Sequence, residues 1–194
     1  MPLHFDAPPK YVRAAAARAA RRALHTRRGG KLREPVKLTP GIAVHTAPMT
    51  RLAHGWLAKS QRIGWRFYLV DADARSISIE IGVHEGRAHI SHLAYGPPVR
   101  KLLLAIGALD THAPVGARLR FVRIGELSFF GAWLHTARSD ELHEFRGGRF
   151  AQRELEQLTD HLQRFGAERA RAHRRPPKRR EKKTAMARRR GASK

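Results

Sequence analysis

Residues Ser76 to Val83 read SISIEIGV, and their strict alternation of apolar and polar side chains constrains the fold more than any other stretch of the chain. Ile77, Ile79, Ile81 and Val83 fall on one side, Ser76, Ser78, Glu80 and Gly82 on the other. Period two is the signature of a half-buried strand, since a helix would scatter the isoleucines around its circumference. Glu85-Gly86 then reads as a two-residue turn, and RAHISHLAY returns as the partner strand. In that register His84 faces Arg87, Gly82 faces His89 and Glu80 faces Ser91 on the polar side, while His92 falls on the isoleucine side.

Other segments extend the sheet. GWRFYLVDADAR reads as a strand ending in a polar turn, and RLRFVRIGELSFFGAWLH as a hairpin turning near Gly125-Glu126. Helices fit around these strands. APMTRLAHGWLAKS sets Met49, Leu52, Ala53, Trp56 and Leu57 on one face, and PPVRKLLLAIGAL buries Leu102, Leu103, Ile106 and Leu109 behind its opening prolines. RFAQRELEQLTDHLQRFG carries Phe150, Leu155, Leu158, Leu162 and Phe165 as a stripe. The order strand, helix, three strands, helix, two strands, helix predicts an α+β fold. Its mostly antiparallel sheet has about five to six strands and helices packed on one face. No internal repeat recurs at a fixed period.

Charge divides the chain into three parts. Residues 1–37 hold ten Lys and Arg against two acids, and residues 169–194 hold thirteen against one, so these ends carry +20 of the net +23. Residues 38–168, with sixteen bases against thirteen acids, are the predicted core domain. The Ala-rich, Arg-rich run from Lys10 to about Arg27 predicts a basic surface helix with little to bury besides Tyr11, Val12 and Leu24, followed by a linker. Its composition also fits an organellar transit peptide. Beyond Gly166 apolar residues vanish, which predicts a disordered basic tail that cannot bury enough surface to offset its ordering entropy.

Two cationic arms on a near-neutral body point to DNA or RNA as partner, because Lys and Arg that displace condensed counterions gain affinity from the phosphates alone. The residues expected to do so are Arg174, Arg175, Lys178, Arg179, Arg180, Lys182, Lys183, Arg188, Arg189 and Arg190, with Arg18, Arg21 and Arg22 assisting. The expected role is a non-catalytic accessory in replication, transfer, regulation or packaging. A ribosomal or ribosome-associated RNA-binding protein is the alternative, and a histidine-dependent nuclease or phosphoesterase a second. The chain has no cysteine, which removes disulfides, thiolate nucleophiles and Cys-containing zinc sites and suits a reducing cytoplasm. No run of about 18 apolar residues exists, so nothing is expected to span a bilayer, and the tail lacks the bulky apolar residues that would insert into an anionic membrane surface, so no membrane partner is expected.

Four constellations carry residue types suited to chemistry. Glu80, His84 and His89 share the polar face of the hairpin, where two imidazoles and a carboxylate suit a metal or acid–base work, although the plainer account is solvated side chains on the wet side of a strand. His89 to Ser91 has the histidine–x–Ser spacing of one half of a paired phosphoesterase motif, and no second copy exists on a strand. Arg118 and Arg120 share one strand face and Phe121 and Arg123 the other, with Phe129, Phe130 and Trp133 following: a core first, a base-stacking platform second. Asp71 and Asp73 are the residues of a polar turn rather than a magnesium pair. No Gly-rich phosphate loop, zinc-protease helix or Ser-His-Asp set is present, and no cofactor is implied.

Overall fold

A computed structural model of the chain describes residues 3–24, 36–48, 52, 55–71 and 75–174, the side chains of 166 and 169–174 excepted. Two short strands, β1 (His4–Phe5) and β2 (Lys37–Leu38), bracket helix α1 (Lys10–Leu24). β3 (Ile42–Thr46), β4 (Gln61–Val70), β5 (Ser76–His84) and β6 (Arg87–Tyr95) lead into α2 (Pro97–Asp110). β7 (Arg118–Ile124), a 3-10 turn at Gly125–Leu127, β8 (Phe129–His135), β9 (Asp140–Arg146) and β10 (Arg149–Arg153) lead into α3 (Leu155–Arg174).

The ten strands among the described residues join one mixed sheet in the order β10-β9-β8-β7-β3-β4-β5-β6, with β1 added to β7 and β2 to β4. This corrects the expected sheet of five to six strands with helices on one face. The chain lays down two meanders of the same kind, β3 to β6 and β7 to β10, each of four consecutively paired antiparallel strands and each followed by a helix. They meet where β3 and β7 run parallel, Ala43 beside Arg120 and Thr46 beside Arg123. The duplication lies in element order and not in residues, so no periodicity betrays it.

Helices cover both faces. Directly paired residues share a face, and the row Trp65, Ala43, Arg120, Trp133 across β4, β3, β7 and β8 defines the outer one. There α1 lays Val12, Ala15, Ala16, Ala19 and Ala23 on Trp65, Phe67 and the three isoleucines of β5, while Leu158 and Leu162 of α3 pack on Trp133 and Leu142. The inner face holds Val44, Tyr68, Phe121 and Leu134 under Val99, Leu102 and Leu109 of α2. α2 touches β10 at one end of the sheet and β5 and β6 at the other, so the sheet curls around it.

Several local expectations change accordingly. The N-terminal helix is part of the core, because its alanines are small enough to bring the helix close to the sheet, and an Ala stripe carries no hydropathy signal strong enough to predict burial. Residues 149–153 form β10 rather than the start of a helix, after a turn in which Gly147 and Gly148 take positive φ of 62° and 87°. α3 continues to Arg174, past the residue where order was expected to end. Of the helix expected over residues 47–60, residues 49–51 and 53–54 lie outside the described residues, and 55–59 form turns. Trp56 and Leu57 are nonetheless buried.

Glu85 and Gly86, at φ 49° and 73°, form the expected two-residue turn between β5 and β6. A β-bulge then shifts the register, so that Ile81 pairs with Ile90 but Glu80 pairs with His92. His92 therefore sits on the polar face, not the isoleucine face, and Ser91 is the extra residue.

Candidate nucleic-acid interface

The face of α1 turned away from the sheet carries the charge. Lys10, Arg13, Arg18, Arg21 and Arg22 are exposed, and the helix holds no acidic residue. The buried alanines recur at three- and four-residue steps, which leaves the cations together on the opposite side. None of the five makes an ion pair among the described residues. Arg21 and Arg22 also occupy the last turn, where cations complement the helix dipole.

Of the sequence-predicted binding residues, the structure thus brings Arg18, Arg21 and Arg22 together on a docked helix. Arg174 closes α3. Arg175, Lys178, Arg179, Arg180, Lys182, Lys183, Arg188, Arg189 and Arg190 lie outside the described residues.

The inner face holds a polar cluster that sequence reasoning did not assemble. Glu80, 2% exposed, receives Arg66 Nη2 at 2.5 Å and Arg123 Nη1 at 3.3 Å. Arg66 comes from β4 beside it, but Arg123 reaches across from β7, past β3 and β4, which the curl of the sheet permits. The Arg66 guanidinium also lies over the rings of Phe121 and Phe130, at 5.5 and 5.0 Å. Tyr68 Oη, Arg66 Nε and Ser76 Oγ are buried without a hydrogen-bond partner among the described residues. Burial pushes the Tyr68 phenol well above its ordinary range, with the Arg66 charge opposing, so it stays protonated.

The hairpin histidines do not join Glu80 in a metal site. Among the described residues no group of three His, Asp or Glu side chains is placed to hold an ion. Glu80 is committed to two arginines, and the His89 ring packs on Gly82, where an added Cβ would lie 2.6 Å from its Nε2. The aromatics of β7 and β8 are core: Phe121, Phe129 and Trp133 are buried, and Phe130, Phe145 and Phe150 pack in succession on the inner face, edge-on at 6.0 Å and tilted at 5.2 Å. Asp71 caps its own turn by accepting from the backbone and side chain of Arg75. Asp73 lies outside the described residues.

A second cluster lies on the outer face between α1 and α3. Asp6 accepts from Arg120 Nε at 2.9 Å and from Arg118 Nη1 at 3.4 Å, and Arg120 stacks on Trp133 at 4.7 Å. Trp133 Nε1 donates to Asp140, which also contacts His135. His45 stands edge-on to Trp133 at 5.3 Å, with Nδ1 3.1 Å from Ser60 Oγ. Burial, then the charges of Arg120 and Arg62, lower His45 from 6.5 to about 4, so the ring is neutral at pH 7. These residues come from six separate parts of the chain, the segment before α1, β3, the start of β4, β7, β8 and β9, and only the Arg118–Arg120 alternation was visible beforehand. Compared with known proteins, the chain matches no family model, no curated protein and no solved structure.

Proposed function

We propose that the protein binds DNA or RNA through phosphate contacts, as a non-catalytic accessory, with the outer face of α1 as the fixed part of its interface and the basic run of residues 169–194 as its extension. One observation carries this reading: α1 is anchored through a stripe of alanines and so presents five cations, with no acid among them, in a fixed arrangement. Cations held on a rigid helix lose less conformational freedom on meeting phosphates than cations on a free chain. The sequence adds thirteen Lys and Arg beyond residue 168. A chain without cysteine suits a reducing cytoplasm, and we infer that location on this ground. No helix among the described residues is long and apolar enough to cross a membrane.

Salt titration tests the reading. Each phosphate contact contributes about 0.9 to the slope of log affinity against log salt on duplex DNA. Replacing Arg18, Arg21 and Arg22 together by Ala should flatten that slope by about 2.7 and leave the fold intact, because all three side chains are exposed. Deleting residues 175–194 should flatten it further. An intact protein that ignores both DNA and RNA in dilute buffer would refute the proposal.

A further inference from the structure

We propose that Arg62, His45 and Arg120 form a seat for a single phosphate group on the outer face, beside the parallel pair β3–β7. Its assignment to a nucleic-acid phosphate rests on the reading above, while the phosphate chemistry stands on the local geometry. His45 lies directly opposite Arg62 across β3 and β4, and Arg120 is opposite Ala43, two residues along β3 on the same face. Both guanidinium groups are held against tryptophan rings, Arg62 over Trp65 at 5.1 Å and Arg120 over Trp133 at 4.7 Å. Such cation–π contact holds each guanidinium against an aromatic wall and leaves N–H groups free to bind an oxyanion.

The donors are available. The Arg62 side chain makes no ion pair or hydrogen bond among the described residues, and the Arg120 guanidinium commits only Nε, to Asp6. Ser60 Oγ donates to the Leu57 carbonyl at 2.6 Å, so the Nδ1–H of His45 donates to Ser60 and Nε2 is left as the unprotonated nitrogen. Nε2 has no partner among the described residues. The imidazole is thus poised beside two fixed positive charges. A phosphate placed between them would neutralise both and allow Nε2 to take a proton and donate in turn.

The groups facing His45 are Arg62 from β4, Arg120 from β7 and Asp6 from the segment before α1, with the His135–Asp140 pair of β8 and β9 beyond Trp133. Asp6 is the one carboxylate among the causes of the His45 shift, and it acts through Arg120 as an internal competitor for the seat. Linkage then requires that phosphate raise the protonation midpoint of His45, and that acid tighten phosphate binding.

The test is a titration of the full chain with inorganic phosphate at constant ionic strength, following the His45 ring by NMR. A saturable shift of its signals, with a midpoint raised by about 1 pH unit or more, supports the seat. Arg62→Gln, an exposed position, should abolish the response, and Asp6→Asn should tighten phosphate about two- to five-fold. The triple α1 variant should leave it unchanged, which separates this proposal from the α1 reading. An oligonucleotide that moves the same signals assigns the phosphate to nucleic acid; a response to inorganic phosphate alone supports the seat and assigns it to a small phosphorylated molecule. No saturable shift, or an equal response to acetate, would overturn it.

Discussion

Replacing Glu80 by Gln keeps the shape of a side chain at the centre of the inner face and deletes its charge. Arg66, whose side chain is 11% exposed, would then keep its guanidinium among Phe121, Phe130 and Tyr68 with no carboxylate to meet it. Breaking a buried pair from one side costs about 3–5 kcal/mol. The Arg123 arm, 41% exposed, is screened by solvent and adds less than about 1 kcal/mol. Stacking of Arg66 on two rings recovers part of the loss, which sets the expected destabilisation at about 3 kcal/mol, or roughly 6–12 °C in Tm for a domain of this size. Urea unfolding followed by tryptophan fluorescence reads it directly, since Trp56, Trp65 and Trp133 are all buried. Adding Arg66→Met to the Gln variant removes the stranded charge and should restore more than half of the loss. A single variant within about 1 kcal/mol of the parent, or a double variant worse than the single, would refute the argument that the pair is closed off from water.

The depressed titration of His45 should also appear in stability. A histidine that binds its proton near 6.5 unfolded and about 4 folded leaves the unfolded state holding more protons in that window, so stability falls as pH drops from 6.5 towards 4, by about 1–2 kcal/mol after solvent screening of a partly exposed ring. His45→Gln should flatten this part of a plot of unfolding free energy against pH, and parallel plots would remove the assignment. Two glycines make a matched pair on backbone room. Gly64→Ala drives its methyl into the Ile81 carbonyl of β5 and should cost about 1–3 kcal/mol, whereas Gly107→Ala in α2, with nothing within 4 Å, should gain about 0.5–1 kcal/mol. Thermal melts of both variants decide the matter, and equal effects would contradict it.

Residues 76–95 were legible because the alternation and the Glu-Gly turn are local devices, and the β5–β6 hairpin follows them up to the bulge at Ser91. The bulge itself leaves no mark in a pattern of hydropathy, which is why His92 changes face. β9 was not legible for a related reason: DELHEFR alternates, but with Glu141, His143 and Phe145 on the inner side it offers no uniform apolar row. α1 was legible as a basic helix at the surface, but the alanines gave no sign of their contact with Trp65 and Ile79, nor that the arginines, expected to be spread around the helix, gather on one face. The outer-face cluster was beyond reach, since Asp6 and Arg120 meet across 114 residues of chain through pairings that only the whole sheet defines.

The parallel contact between the two meanders has a kinetic corollary. Every other long strand pair joins neighbours in the chain, so it can form soon after its turn closes, whereas β3 and β7 must bring together residues such as Thr46 and Arg123, 77 positions apart. Closing that long loop carries the entropic barrier, which makes the junction the last part to zip and the slowest. Amides of β3 facing β7 would accordingly exchange with solvent through a different opening from those inside either meander, a division that hydrogen–deuterium exchange can resolve.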